Sequence, residues 1–314
     1  MSSARKIIID TDPGQDDAAA LMLAFASPAE IEVLGVTTVA GNVPLTLTSR
    51  NARVVCELCG RSDVKVYPGA ERPMIKTLVT AEHVHGKTGL DGADLPEPTM
   101  PLQDQHAVDF IIETLRHEPS GTVTLCTLGA LTNVALALQK APEIASRIRE
   151  LVMMGGGFFE GGNITPAAEF NIFVDPHAAE IVFRSGIPIV MMPLDVTHQL
   201  LTTKARVARI AAIRTRAAEA LTGWLDFFER FDVEKYGSDG GPLHDPSVIA
   251  YLLKPELFDG RECNVEIETQ SELTIGMTVV DWWKVSGRPA NAKVMRHVDA
   301  DGFFALLTER VARL

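Results

Sequence analysis

The first patterned segment is a short β-branched run, Lys6 to Asp10, followed after Asp-Pro-Gly-Gln-Asp-Asp by an apolar stretch from Ala18 to Phe25. Three isoleucines bounded by polar turn residues read as a strand, and the longer Ala- and Leu-rich stretch reads as a helix. The alternation then repeats. Strands are predicted over Glu32 to Val39, Val64 to Tyr67, Thr122 to Cys126, Leu151 to Met154 and Pro188 to Met192. Helices are predicted over Pro44 to Cys59, Gln103 to His117, Leu131 to Gln139, Pro142 to Glu150 and Pro176 to Arg184. Regular strand–helix alternation predicts an α/β fold with a mostly parallel, doubly wound sheet flanked by helices.

The last third leaves this rhythm. It offers a long helix near Ile213 to Phe231, a Gly-rich loop from Tyr236 to Leu243, a helix after Asp245, and strands near Cys263 to Glu268 and Thr274 to Val280. No internal repeat, low-complexity tract or Pro/Ser-rich linker separates it from the rest. Residues 1–314 are therefore expected to form one domain, with a helix-rich and β elaboration over roughly 200–300. At 46% hydrophobic and 22% charged residues, the chain has the apolar material for a sizeable core.

Charge narrows the partners. The formal net charge of -12 repels polyanions, so neither nucleic acid nor an anionic membrane is expected as a partner. Only three isoleucines separate the basic start from Asp10, too few for the apolar region of a signal peptide. The uncharged stretch from Pro119 to Gln139 is broken by several threonines, Asn133 and Gly129, which fits a strand, turn and helix better than a membrane span. A cytoplasmic location is expected. Cys56 and Cys59 lie at i,i+3 in a helical run without a second such pair, and read as thiols of a reduced protein.

In a parallel sheet, ligands bind beyond the carboxyl ends of the strands. Asp10 and Asp12 stand at the end of the first strand, and Asp16 and Asp17 open the next helix. Four carboxylates within eight residues repel one another in a partly buried turn, and a divalent cation removes the conflict. Helix capping accounts for one or two of them, not four. Oxygen ligands with no adjacent Cys or His suit a hard ion, calcium or magnesium. Near the chain's end, His244-Asp245-Pro246 opens another helix. Asp245 is a candidate further ligand and His244 a candidate proton donor, although Asp before Pro is commonly just a cap. Gly155-Gly156-Gly157 follows a strand and leads to Asn163, Glu169 and Asn171, groups suited to vicinal hydroxyls; an ordinary polar loop is the alternative.

Three phosphate signatures fail on spelling. Gly86-Lys87-Thr88 lacks the first P-loop glycine, because Ala81 stands there. The Gly155 cluster has Glu160 where a dinucleotide fingerprint needs glycine, and Asp10-Thr11-Asp12 meets Gly14 where an aspartyl-phosphate phosphatase carries Thr or Val.

The run Asp10-Thr11-Asp12-Pro13-Gly14-Gln15-Asp16-Asp17-Ala18 resembles the N-terminal signature of the inosine-uridine-preferring nucleoside hydrolase family. Further blocks resemble that family in the same order: Val39 to Asn42, His85 to Gly92, Leu128 to Asn133, Asn163 to Asn171, His244 to Pro246, then Asp281 and Val298-Asp299. The resemblance implies calcium-dependent hydrolysis of ribonucleosides to ribose and free base, in nucleoside salvage. It implies a calcium ion held by Asp12, Asp17, Asp245 and the Leu128 carbonyl, with Asp16 adjacent. By the same resemblance Asn42, Asn163, Glu169, Asn171 and Asp245 hold the ribose, and Asp12 is the base that activates water. His244 marks the branch with a histidine acid. Tyr236, which resembles the tyrosine of pyrimidine-preferring members, would face the nucleobase with His244, and His85 would lie near the same pocket. Uridine or cytidine is then expected to be favoured. The stripe Trp224, Phe227, Phe228 and Phe231 reads mostly as core packing. A homodimer or homotetramer is expected. Rival readings are a non-catalytic nucleoside-binding sensor, which would not need His244, and a phosphatase using Asp10 as nucleophile.

Overall fold

The computed structural model describes residues 4–237 and 239–314, with the side chains of 231–236 outside that description. In chain order the strands are β1 (Arg5–Thr11), β2 (Ile31–Thr38), β3 (Val66–Pro68), β4 (Val123–Thr127), β5 (Ile148–Met154), β6 (Ile189–Met192), β7 (Phe258–Cys263), β8 (Val265–Ile267), β9 (Thr278–Val280) and β10 (Ala292–Val298). The helices are α1 (Gln15–Phe25), α2 (Leu45–Leu58), α3 (Glu82–His85), α4 (Ala107–His117), α5 (Thr132–Lys140), α6 (Phe170–Val174), α7 (Pro176–Phe183), α8 (Leu194–Thr197), α9 (Lys204–Ala211), α10 (Arg216–Tyr236), α11 (Pro246–Leu253) and α12 (Ala300–Val311).

The main sheet runs β3-β2-β1-β4-β5-β6-β10-β7, parallel except for β7. Alternation along each strand divides its side chains between two apolar layers. Ile7 and Ile9 of β1 join one layer and Ile8 the other; Val152 and Met154 of β5 oppose Leu151 and Met153 in the same way. Helices α1, α10, α11 and α12 cover the first face, and α4, α5 and α7 the second. The expected α/β class is what is found. Every residue of α1 is buried, including Gln15, Asp16 and Asp17, which places its polar N-terminus inside the molecule.

Chain order reverses at the middle of the sheet. From β1 the chain moves outward to β2 and β3, then returns to β4 on the other side. The crevice beyond the carboxyl ends of β1 and β4 is the switch point at which such folds bind ligands. Asp12 follows β1 and Leu128 follows β4, so both lie at this crevice.

Several sequence-based boundaries need correction. The segment expected as a helix over Pro142 to Glu150 is a short 3-10 turn to Arg147, and β5 already starts at Ile148. Helix α4 begins at Ala107, not Gln103, because the His106 side chain accepts from Val108 N–H and caps it. The stretch expected as one strand over Cys263 to Glu268 is the end of β7 followed by β8. Gly276, at φ 86°, sits in the turn that confines the next strand to Thr278–Val280. Strand β10 and helix α12 had no counterpart in the sequence reading, yet β10 continues the main sheet. Helix α10 runs through Tyr236, which the sequence assigned to a loop, and Gly237 at φ 64° follows its last residue.

Cys56, Cys126 and Cys263 are buried free thiols, and burial pushes the Cys56 thiol up to about 12. Among the described residues no helix is long and apolar enough to cross a membrane.

Candidate active site

A cavity of about 520 Å³ opens at the switch point. Its wall includes Asp16, Asn42, His85, Leu128, Asn163, Glu169, Asn171, His244 and Asp245, so nine of the residues singled out from sequence converge on it. Asp12 and Asp17 lie just behind this wall, fully buried. Tyr236 closes α10, but its side chain is outside the described residues. Asp10 is elsewhere: its Oδ1 accepts from Thr37 Oγ1 at 2.6 Å and Asn133 Nδ2 at 2.8 Å, and it does not line the cavity.

The carboxylates are held unequally. Asp17 is well satisfied, accepting from the Thr11 hydroxyl, from Gly14 N–H at 2.9 Å and from Asn42 Nδ2 at 3.1 Å. Capping accounts for this one residue. Asp12 Oδ2 accepts from Asn42 N–H at 2.7 Å, whereas Asp12 Oδ1 and Asp16 Oδ1 are buried without a partner among the described residues. Asp245 stands at the N-terminus of α11, yet its side chain makes no capping bond, which removes the simplest structural reason for it.

Oxygen atoms of Asp16, Asp17 and Asp245 lie within 4.8 Å of one another. Burial, then the Asp17 charge, raises Asp16 to about 8. Burial first, and the neighbouring aspartates next, push Asp12 and Asp245 well above the usual carboxylate range. Such a cluster is strained unless protons or a cation neutralise it. An all-oxygen set with unpartnered acceptors fits a hard divalent ion. The backbone leaves room for it: a Cβ at Gly41 or Gly129 would collide with one or other oxygen of Asp12, so both neighbours must be glycine.

The hydroxyl-binding candidates are already oriented. Asn171 Nδ2 donates to the Leu128 carbonyl at 2.7 Å and the Met154 carbonyl at 3.2 Å, leaving its Oδ1 as acceptor. Asn163 is turned the other way: its Oδ1 accepts from Phe170 N–H at 2.9 Å, which leaves the amide NH₂ as donor. Glu169 caps α6 by accepting from the Asn171 and Ile172 N–H groups and also accepts from Gly156 N–H at 2.8 Å, and burial outweighs these bonds to raise it to about 7.

The opposite end of the cavity is aromatic and neutral. Phe228 lies 5.6 Å from the His85 ring and 6.5 Å from the His244 ring. Burial, reinforced by His83, lowers His85 to about 3; burial, reinforced by His198 and His85, lowers His244 equally far. His198 and Thr197 were not singled out from the sequence; Phe228 was read with its stripe as mostly core packing, and Gln15 only as part of the run Asp10 to Ala18. Trp224 of the same stripe is fully buried and donates to the Leu90 carbonyl, so the stripe is core at one position and cavity wall at the next turn. No lysine or arginine lines the cavity among the described residues, which leaves a phosphoryl group without a counter-charge.

Comparison with known proteins decides the family. Residues 7–305 match the sequence profile described as inosine-uridine preferring nucleoside hydrolase. The chain belongs to this family. Nucleoside hydrolases are glycosidases that act on N-glycosyl bonds. An uncharacterised protein of Schizosaccharomyces pombe is 58% identical over 98% of this chain and 99% of its own. The pyrimidine-specific ribonucleoside hydrolase RihA of Shewanella sp. (strain ANA-3) is 49% identical over 98% of this chain and 96% of its own. The solved structure of a purine-preferring ribonucleoside hydrolase from Gardnerella vaginalis superposes with TM-score 0.91 at 32% identity, covering 98% of both chains. These nucleoside hydrolases differ in the base their names carry, so family membership alone does not fix base preference.

Proposed function

We propose that this nucleoside hydrolase is calcium-dependent and favours pyrimidine ribonucleosides. The observation that carries the metal assignment is the set of buried, raised and partly unpartnered carboxylates of Asp12, Asp16, Asp17 and Asp245 at one end of the cavity. Asp12, Asp17, Asp245 and the Leu128 carbonyl would hold the ion, with Asp16 beside them. When bound, calcium supplies the positive charge that keeps these carboxylates ionised and makes a nearby water more acidic.

Asp12 is assigned as general base. Asn42 N–H occupies its Oδ2, so Oδ1 is the oxygen left to receive a proton from the attacking water. The ring of carboxylates favours the positive charge that develops on the ribose as the C–N bond stretches, by analogy with O-glycoside cleavage. Asn171 Oδ1 and the Asn163 NH₂ offer one acceptor and one donor to the ribose hydroxyls, with Asn42, Glu169 and Asp245 completing the set. His244 is assigned to the leaving base. Because burial keeps it neutral, its contribution is a hydrogen bond from the ring N–H to the departing base as negative charge gathers there.

The pyrimidine assignment is supported by the 49% identity to a pyrimidine-specific relative and by a base end made of His85, Phe228 and His244. Tyr236 is assigned to the same end. A single continuous domain, a cytoplasmic location and a homodimer or homotetramer complete the proposal. A panel of uridine, cytidine, inosine and a ribosylated vitamin, assayed for free ribose with and without a chelator, tests it. Uridine or cytidine should lead, and chelator should abolish release. Faster cleavage of inosine overturns the pyrimidine assignment, and full activity in chelator overturns the calcium.

A further inference from the structure

We propose that Gln15 and Thr197 are positioning residues that lock His85 and His244 into opposite tautomers, so the base end presents one fixed acceptor and one fixed donor. This deepens the reading above and rests on it for the placement of the base.

Gln15 is fully buried at the start of α1. Its Nε2 donates to two backbone carbonyls, His85 at 2.9 Å and Asp91 at 3.0 Å. Carbonyls only accept, so the amide orientation is settled and Oε1 is the atom 2.7 Å from His85 Nδ1. An amide oxygen also only accepts. His85 Nδ1 therefore carries the hydrogen, and in the neutral ring Nε2 is a bare acceptor.

Thr197 imposes the reverse on His244. Its hydroxyl is fully buried in α8, and among the described residues its one partner is His244 Nδ1 at 2.8 Å. If Nδ1 donated, the hydroxyl hydrogen would be stranded in the interior, which costs more than the bond returns. The satisfied arrangement has Thr197 donating to Nδ1, which places the ring hydrogen of His244 on Nε2. Neither Nε2 atom has a protein partner among the described residues, and both rings line the cavity beside Phe228. The ligand edge that fits is a carbonyl oxygen for the donor and an N–H for the acceptor, the pair that uracil carries. The donor is also the group that meets charge building on the leaving base, so Thr197 acts on turnover through His244.

The test uses calcium-loaded, full-length enzyme labelled with ¹⁵N-histidine. Long-range ¹⁵N–¹H spectra at neutral pH, assigned with His85→Ala and His244→Ala, should show an Nδ1–H ring for His85 and an Nε2–H ring for His244. The same tautomer at both positions, or exchange averaging at either, overturns the proposal. Thr197→Val should release the His244 tautomer and lower kcat for uridine about three- to tenfold, the value of one uncharged hydrogen bond. It should spare p-nitrophenyl riboside, whose leaving group needs no donor, and Thr197→Ser should restore both the spectrum and the rate. Equal losses on both substrates in Thr197→Val, or a serine variant no better than valine, overturn the positioning role. A failure of the underlying reading is separable: His244→Ala losing equally on both substrates removes the donor role, while the wild-type spectra still decide the tautomers.

Discussion

The two ends of the cavity are similarly desolvated and differ in what burial does to them. At the carboxylate end, Asp12, Asp16 and Asp245 come from two helix starts and one strand end, and burial leaves them repelling one another with one oxygen each of Asp12 and Asp16 unpartnered. At the base end, His85 and His244 escape the same penalty by giving up their charge, and each keeps one ring nitrogen bonded. The first end is electrostatically incomplete without a cation. The second is complete and neutral, and under the proposed reading it would select by hydrogen-bond direction and ring stacking.

The sharpest way to break this contrast is at Asp12. Asp12→Asn should lower kcat by roughly 10² to 10⁴ while preserving the fold, the usual range for losing a general base. Calcium content must be measured in the same variant, and an active Asp12→Asn enzyme would remove the assignment. His244→Ala comes next. It should cost roughly 10² on uridine, at the low end for a group acting on a leaving group, and little on p-nitrophenyl riboside. A matching loss on both substrates would place His244 with the ribose or metal instead.

Phe228→Ala probes stacking without touching charge. Loss of one aromatic contact should raise KM for uridine roughly threefold to tenfold with kcat nearly unchanged. An altered calcium affinity in that variant would show that the two ends are not separable.

How much of this was legible in the sequence follows from the range of the contacts. The carboxylate end is mostly local, because Asp12, Asp16 and Asp17 fall in one strand–turn–helix segment that any parallel sheet places at its carboxyl edge. The base end is made by packing. Gln15 meets His85 across 70 residues of chain, and Thr197 meets His244 across 47, with no local pattern that announces either. Periodicity showed that Trp224 and Phe228 share a face of α10, but not that one is core and the other lines the cavity. Strand β10 was illegible for a related reason: Lys293, Arg296 and His297 interrupt its apolar positions, although Val294 and Met295 are fully buried.

The smallest expected effect is on stability, and its sign separates the two ends. A carboxyl whose folded pKa is raised stabilises the fold while protonated, below its unfolded pKa near 4, and loses that contribution as pH rises through the folded value. Glu169 at about 7 and Asp16 at about 8 therefore destabilise the cation-free protein progressively up to about pH 8. The histidines act the other way. With folded values lowered to about 3 from 6.5, their contribution is intact above 6.5 and lost only as pH falls. Between about pH 6.5 and 8 the carboxylates alone set the slope, so the Tm of chelated protein should fall by a few degrees across that interval. A flat or rising Tm there would mean the cluster is not strained.

Calcium binding by the chelated protein, titrated calorimetrically at pH 8 and followed by a uridine assay at each point, decides whether the carboxylate cluster holds a cation that turnover requires. One high-affinity calcium per chain, a Tm that rises as the site fills, and ribose release that grows in proportion to occupancy are expected. Undiminished ribose release by protein shown to contain no divalent metal would contradict that requirement.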